Sequence, residues 1–89
     1  MKRLTEQQQA DKIVDITMKR IHKYSFTPMT STEVKDKICA FDLSIEYCYN
    51  IIDSLKWFHF DSKLYWRDVQ RIIMKEKILF IEINSEIIN

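Results

Sequence analysis

A chain of 89 residues with 46% hydrophobic and 30% charged residues has the composition of one small globular domain. No run approaches about 18 uninterrupted apolar residues, and the start lacks the apolar stretch of a signal peptide, so we expect a soluble, cytoplasmic (intracellular) protein without membrane contact. The formal net charge of +1 excludes a strongly basic chain, and any nucleic-acid contact would depend on how the charges are distributed.

The first predicted element is a helix from about residue 6 to residue 23. Apolar side chains recur there at helical spacing, which predicts one buried stripe made of Ala10, Ile13, Val14, Thr17, Met18 and Ile21. Residues 1–23 hold six cationic side chains against three acidic ones, so this end of the chain carries a local positive charge. Residues 24–29 are expected to break the helix, because Pro28 disfavours helix at Thr27.

Two short helices are predicted next, over about 31–41 and about 44–56. The first begins at the capping box Thr30-Ser31-Thr32-Glu33 and continues at helical spacing through Val34, Ile38 and Phe41. Ser44 gives a second start signal, because serine is a preferred N-cap and is followed at helical spacing by Ile45, Cys48, Ile51, Ile52 and Leu55. Only a few residues separate the two helices.

From Trp57 the period of the sequence changes to two, as in a β-strand. Phe58 and Phe60 fall on one face of this run, and the other face receives Trp57, His59 and Asp61. The alternation resumes in the segment 63–66. We therefore expect a β-hairpin over about 57–66 with its turn at Asp61-Ser62, since a chain without glycine depends on Asn or Asp for turns that need positive φ.

The C-terminal segment, about 67–86, has two interpretations. Its apolar residues fit one long helix, and the absence of a breaker between Arg67 and Asn84 favours that interpretation. The alternative is a short helix followed by a strand over 77–84, where β-branched residues alternate. Either element is too apolar to stand alone and must pack on the first helix or on a second copy of the chain.

The order of helix, helix, helix and hairpin resembles a winged helix-turn-helix domain. The segment 43–55 is similar to the recognition helix of small regulators of the MarR and ArsR type and to compact winged-helix proteins of archaeal viruses. The resemblance implies a mainly α fold with a small β-hairpin (α+β) and a C-terminal helix used for dimerisation. The AT-rich codons of Ile, Lys, Asn, Tyr and Phe, which are abundant here, predict a bacterial, archaeal or viral source.

The resemblance further implies binding to double-stranded DNA as a transcriptional regulator. The third helix would enter the major groove with an outward face made of Ser44, Glu46, Tyr47, Asn50 and Ser54. Asn50 would pair with adenine, Ser44 or Tyr47 would hold a phosphate, and Glu46 would accept from a cytosine amino group. Lys63 at the hairpin tip would lie near the adjacent minor groove or the flanking phosphate backbone, with His59 and Arg67 in support. A homodimer through the first and C-terminal helices would bind a palindrome.

A second hypothesis gives the same fold a role in protein–protein interaction, as a subunit of a complex or a viral inhibitor of a host protein. It is favoured by the near-zero net charge, by Glu46 and Asp53 on the reading helix and by the aromatic content. The aromatic side chains of the hairpin would then pack across its strands and onto the helices instead of stacking on bases.

Enzymatic activity is not expected, and neither a cofactor nor a metal is predicted. The chain has no phosphate-binding glycine loop, and His22 and His59 stand in different elements. Cys39 and Cys48 are nine positions apart, which is not the paired spacing of a zinc site. We expect buried, apolar roles for both thiols, with a disulfide between them or a redox-sensing role as the alternative.

Overall fold

The computed structural model describes residues 3–23, 30–56 and 59–85, and within these ranges the regular structure is entirely helical. The helices are α1 (Glu6–Lys23), α2 (Thr30–Ser54) and α3 (Phe60–Ile83), and each packs against the other two. None of the helices in the described ranges combines the length and the apolar character needed to cross a membrane.

The first helix, α1, has the range that the sequence predicts, and its start is capped by its own side chains. Thr5 accepts a hydrogen bond from the backbone N–H of Gln8 (3.1 Å), and the N–H of Thr5 donates to the side-chain oxygen of Gln8 (3.0 Å). This reciprocal pair satisfies two backbone donors that the first turn leaves without helical partners. Downstream, Ala10, Ile13 and Val14 are buried, as the apolar stripe requires.

The core lies along the line where the three helices meet. Its fully or nearly fully buried side chains are Ala10, Ile13, Val14, Phe41, Cys48, Tyr65, Val69 and Ile73. At the edge of this core the rings of Phe41 and Phe80 pack at 5.7 Å between centroids. The hydroxyl of Tyr65 donates to the carbonyl oxygen of Leu4 (2.7 Å), which ties α3 to the residues just before α1.

α3 runs antiparallel to α2, because residues later in α3 contact residues earlier in α2. Lys77 pairs with Asp42 (Nζ to Oδ1, 2.5 Å), and the side-chain amide of Gln70 donates to the carbonyl oxygen of Ile45 (3.0 Å). Further along α2, Tyr47 meets the edge of Trp66 at 6.4 Å. These contacts fix the register of the two helices over more than one turn.

The prediction of two helices over 31–41 and 44–56 is wrong, since α2 is one helix of 25 residues. The buried residues Val34, Phe41 and Cys48 follow one another at intervals of seven and form one stripe that runs through residues 42–44 without a change of phase. Ser44 is an interior residue of α2, so it does not serve as an N-cap. The side chains of the capping box at 30–33 and the predicted break at 24–29 lie outside the described residues.

The predicted hairpin over 57–66 is also wrong, because α3 begins at Phe60 and contains the expected turn. Tyr65, Val69 and Ile73 are buried at intervals of four, so a helical stripe that continues for several turns outweighs a short alternation. Trp57 and Phe58 lie outside the described residues.

Without a wing in the described ranges and without a separate reading helix, the winged helix-turn-helix interpretation and its α+β fold class are corrected to a three-helix, bundle-like α fold. Of the two interpretations for the C-terminal segment, the helix agrees with α3, which continues to Ile83, and the strand over 77–84 is wrong.

Candidate functional site

An open groove of about 760 Å³ lies between α1 and α2. Its residues are mostly apolar and come from four turns of α1 and one turn of α2: Gln9, Lys12, Ile13, Ile16, Thr17, Arg20, Ile21, Leu43 and Tyr47. Ile16, Leu43 and Tyr47 are 42%, 46% and 52% exposed, so their apolar surface faces solvent. A groove with exposed apolar walls is the usual form of a binding site for an apolar ligand or a protein segment.

The groove exists because small residues bring the two helices together on one side of it only. Ser44 is fully buried, and its Oγ lies 3.3 Å from Oγ1 of Thr17 across the helix interface. The larger Leu43 and Tyr47 are one turn apart on the solvent side of this contact, where α1 does not cover them. The apolar surface of α1 that includes Ile16 is therefore wider than the strip that α2 covers.

The groove is electropositive. Lys12, Ile16 and Arg20 follow one another at intervals of four on α1, so the exposed isoleucine lies between two cations. The described lining residues include no carboxylate, and none of the ion pairs formed between described residues involves Lys12 or Arg20. Asp15, the nearest acidic residue in sequence to Ile16, pairs with Lys19 at 3.0 Å.

The residues predicted to form the outward face of a reading helix have different surroundings in the structure. Ser44 is buried, so the prediction that it faces a phosphate is wrong. Glu46 and Asn50 are exposed on α2, and Ser54 is exposed with its hydroxyl donating to the carbonyl oxygen of Ile51 (2.8 Å). Tyr47 is exposed, lines the groove and is the predicted site residue that the groove includes.

Lys63, predicted at the hairpin tip, and Arg67, predicted to support it, lie one turn apart on α3. Lys63 is half-buried and Arg67 is exposed. Lys12 and Arg20 thus lie on α1 in the groove, whereas Lys63 and Arg67 lie on α3. The exposed acidic residues Glu46 and Asp53 stand on the α2 segment that the DNA hypothesis would place in the major groove.

The thiols have contrasting environments. Cys48 is fully buried, and desolvation raises the pKa of its thiol to about 11, whereas Cys39 is exposed. Both are free thiols, so the alternative of a disulfide is not what the structure contains.

Burial also raises the pKa of the Tyr65 phenol, and the Arg3 guanidinium above its ring, 4.0 Å from the centroid, acts in the opposite direction. In the described ranges, no three His, Cys, Asp or Glu side chains are grouped as metal ligands would be.

Sequence reasoning missed most of the groove. Lys12, Ile16 and Arg20 have a spacing of four, which is visible in the sequence and indicates a shared helix face. Leu43 was assigned to a turn between helices, and its place on a helix surface depends on the continuity of α2.

No protein-family model, curated protein or solved structure matches the chain. The functional proposal therefore follows from the geometry and charge of the groove.

Proposed function

We propose that this chain is a protein-interaction module whose α1–α2 groove binds an amphipathic helix of a partner protein. One observation carries the proposal: an apolar groove is open to solvent, and among the described residues its rim carries two cations and no carboxylate. Tyrosine and arginine, both present in the lining, are the residue types that most often dominate the binding energy of protein interfaces.

A helix is the ligand that best fits the shape of this groove. The walls are themselves helices, and an added helix would present apolar side chains at intervals of three and four to Ile16, Leu43 and Tyr47. Binding would remove these three side chains from water, which is favourable in proportion to the apolar area buried.

The charges of the rim define the partner further. Lys12 and Arg20 are eight residues apart on α1, a separation of about 12 Å along the helix axis at a rise of about 1.5 Å per residue. A complementary helix would carry acidic residues about two turns apart on the side that faces α1. Opposite charges of this kind raise the association rate and select the orientation of the bound helix.

DNA binding stays a prediction, and the structure gives it less geometric support than the groove gives to a partner helix. The segment 44–56 is part of a longer helix with exposed Glu46 and Asp53, and the described residues include no wing. The exposed apolar walls formed by Ile16 and Leu43 would also not contribute to the binding of a DNA duplex.

The proposal is tested by selection from a displayed library of helical peptides with a fixed leucine stripe and randomised flanking positions, using the folded protein as bait. We expect enrichment of peptides with acidic residues about two turns apart. The selected peptide should bind the double variant Ile16→Gln/Leu43→Gln at least about tenfold more weakly, because the apolar contact is lost. The matched control is Leu64→Gln, since Leu64 is also 42% exposed but lies on α3 outside the groove.

A charge-reversal pair tests the rim separately. Lys12→Glu/Arg20→Glu should reverse the preference of the library from acidic to basic flanking residues, whereas Arg67→Glu, on α3, should leave it unchanged. Failure to enrich any peptide, or equal binding by the groove variant, would contradict the proposal. Retention of duplex DNA at moderate salt that Arg67→Glu abolishes would instead support the DNA hypothesis.

A further inference from the structure

The outward face of α3 carries a second apolar surface, which shares no residue with the groove. Met74, Ile78, Leu79 and Ile83 are 47%, 56%, 56% and 81% exposed. Met74, Ile78 and Leu79 lie on the side of the helix away from the buried Val69 and Ile73. Ile83, at the C-terminal end of α3, lies nearer the side of Val69 but is exposed there. We call these four residues together with Lys75 and Glu82 the α3 face.

Two opposite charges stand along the middle of the α3 face. Lys75 and Glu82 are both exposed and are seven residues apart, which places them on the same side of the helix two turns from each other. Ile78 and Leu79 lie between them. Among the described residues, neither Lys75 nor Glu82 takes part in an ion pair. A surface with this order of charges is complementary to the same surface turned through 180°.

We propose that the α3 face binds a second copy of this chain in an antiparallel, two-fold symmetric dimer. With the two-fold axis midway between Ile78 and Leu79, Lys75 of each copy faces Glu82 of the partner subunit. The same axis places Ile78 against Ile78 of the partner subunit on one side of the seam, and Leu79 against Leu79 of the partner subunit on the other. Met74 and Ile83 flank these contacts and lose exposed apolar area.

The charges of Lys75 and Glu82 favour the antiparallel arrangement over the parallel one. In a parallel pair, each charge would lie opposite its own copy, lysine on lysine and glutamate on glutamate, and both contacts would be repulsive. In the antiparallel pair both contacts are attractive. The interface is small and has few apolar contacts, so it gives a weak dimer whose population depends on protein concentration.

Sedimentation velocity on the full chain, from about 1 µM to about 1 mM, tests the dimer. Lys75→Glu should raise the dissociation constant roughly tenfold because two attractive pairs become repulsive, and Glu82→Lys should do the same. An equimolar mixture of these two variants should form a heterodimer at least as stable as the wild-type dimer, because both contacts in the mixed pair are again attractive. Loss of folding cannot produce this recovery.

Ile78→Gln tests the apolar contacts of the dimer, and Leu64→Gln, which lies outside the α3 face, is the matched control. Ile78→Gln should weaken the dimer, whereas Leu64→Gln should not, and circular dichroism should show the same helical content in both. A wild-type chain that stays monomeric at every concentration would overturn the proposal. A dimer that is equally stable in both charge variants, with no gain on mixing, would overturn it as well. Neither result would affect the groove, whose peptide binding is measured independently.

Discussion

The hydroxyl of Ser44 donates a 2.6 Å hydrogen bond to the carbonyl oxygen of Ala40, one turn earlier in α2. A serine hydroxyl has one proton, so this shorter contact takes it, and the 3.3 Å approach to Oγ1 of Thr17 is a packing contact. Thr17 in turn donates to the carbonyl oxygen of Ile13 (2.8 Å). Both hydroxyls are thus satisfied within their own helices, which lets α1 and α2 approach closely beside the groove.

This arrangement predicts that a charge at position 44 cannot be accommodated. Ser44→Asp would place a carboxylate in a fully buried site, and we expect a loss of about 3 kcal/mol in the free energy of unfolding, measured by urea denaturation. Asn50→Asp is the matched control, because Asn50 is exposed on the same helix and should change stability by less than about 0.5 kcal/mol. Equal effects at the two positions would contradict the burial of Ser44.

The continuity of α2 predicts slow amide exchange through the segment that the sequence assigns to a turn. The backbone N–H groups of Leu43, Ser44 and Ile45 lie inside the helix and should be protected to a degree similar to that of Val69 in the core of α3. The N–H of Leu4, which precedes α1, should exchange much faster. Hydrogen exchange followed by NMR gives residue-level rates, and rapid exchange confined to 42–45 would restore the two-helix interpretation.

The sequence predicts α1 well because its apolar stripe keeps a regular helical period. The structure adds a cap at Thr5 and Gln8 that begins the same helix. The signals at Ser44 are ambiguous, because serine favours an N-cap but can also donate to the carbonyl oxygen one turn earlier inside a helix. The second outcome is favoured by the apolar stripe through Phe41 and Cys48, whose burial depends on the neighbouring helices.

The groove was less predictable than the helices. The spacing of Lys12, Ile16 and Arg20 indicates one face of α1, but whether that face is covered depends on where α2 lies in three dimensions. Tyr47 was correctly predicted to be exposed, since exposure of a helix position follows from its phase relative to the apolar stripe. Apart from Leu43, the other residues of the groove lie on α1, some thirty residues away, and no local pattern specifies that contact.

The ion pair between Lys77 and Asp42 should contribute more to stability than the pair between Lys19 and Asp15. The side chain of Lys77 is 30% exposed and joins two helices, whereas both partners of the Lys19–Asp15 pair are more than half exposed on one helix. Double-mutant cycles with Lys→Met and Asp→Asn changes should give a coupling of about 0.5 kcal/mol for the first pair and about 0.3 kcal/mol or less for the second. Both couplings should fall in about 1 M salt, and a larger coupling within α1 would contradict the ranking.

The two thiols should react at very different rates with a thiol-specific reagent in the native state. Cys39 is exposed, whereas Cys48 is fully buried with its pKa raised, so its thiol must wait for an opening of the structure. We expect one thiol to react rapidly and the second at least about 100-fold more slowly, and denaturant should abolish the difference. The variant Cys39→Ser should lack the rapid phase, and rapid modification of both thiols in the wild type would contradict the buried position of Cys48.

Burial of Cys48 also makes the stability of the protein fall at alkaline pH. Desolvation raises the pKa of this thiol from 9.0 to about 11, so between these values the unfolded chain loses a proton that the folded chain retains. The stabilising contribution is fully present below about pH 9 and is lost as the pH rises through the window to above 11, by about 3 kcal/mol in total. Cys48→Ala removes the titrating thiol and leaves a small cavity, which costs about 1 kcal/mol at neutral pH.

At pH 7, urea denaturation should therefore show wild type to be more stable than Cys48→Ala. At pH 10.5 this difference in unfolding free energy should be smaller and can have the opposite sign. Tyr65, whose pKa is also raised, titrates in both proteins and cancels in the comparison. A difference that stays constant over this range would show that the thiol ionises as readily in the folded chain as in the unfolded one.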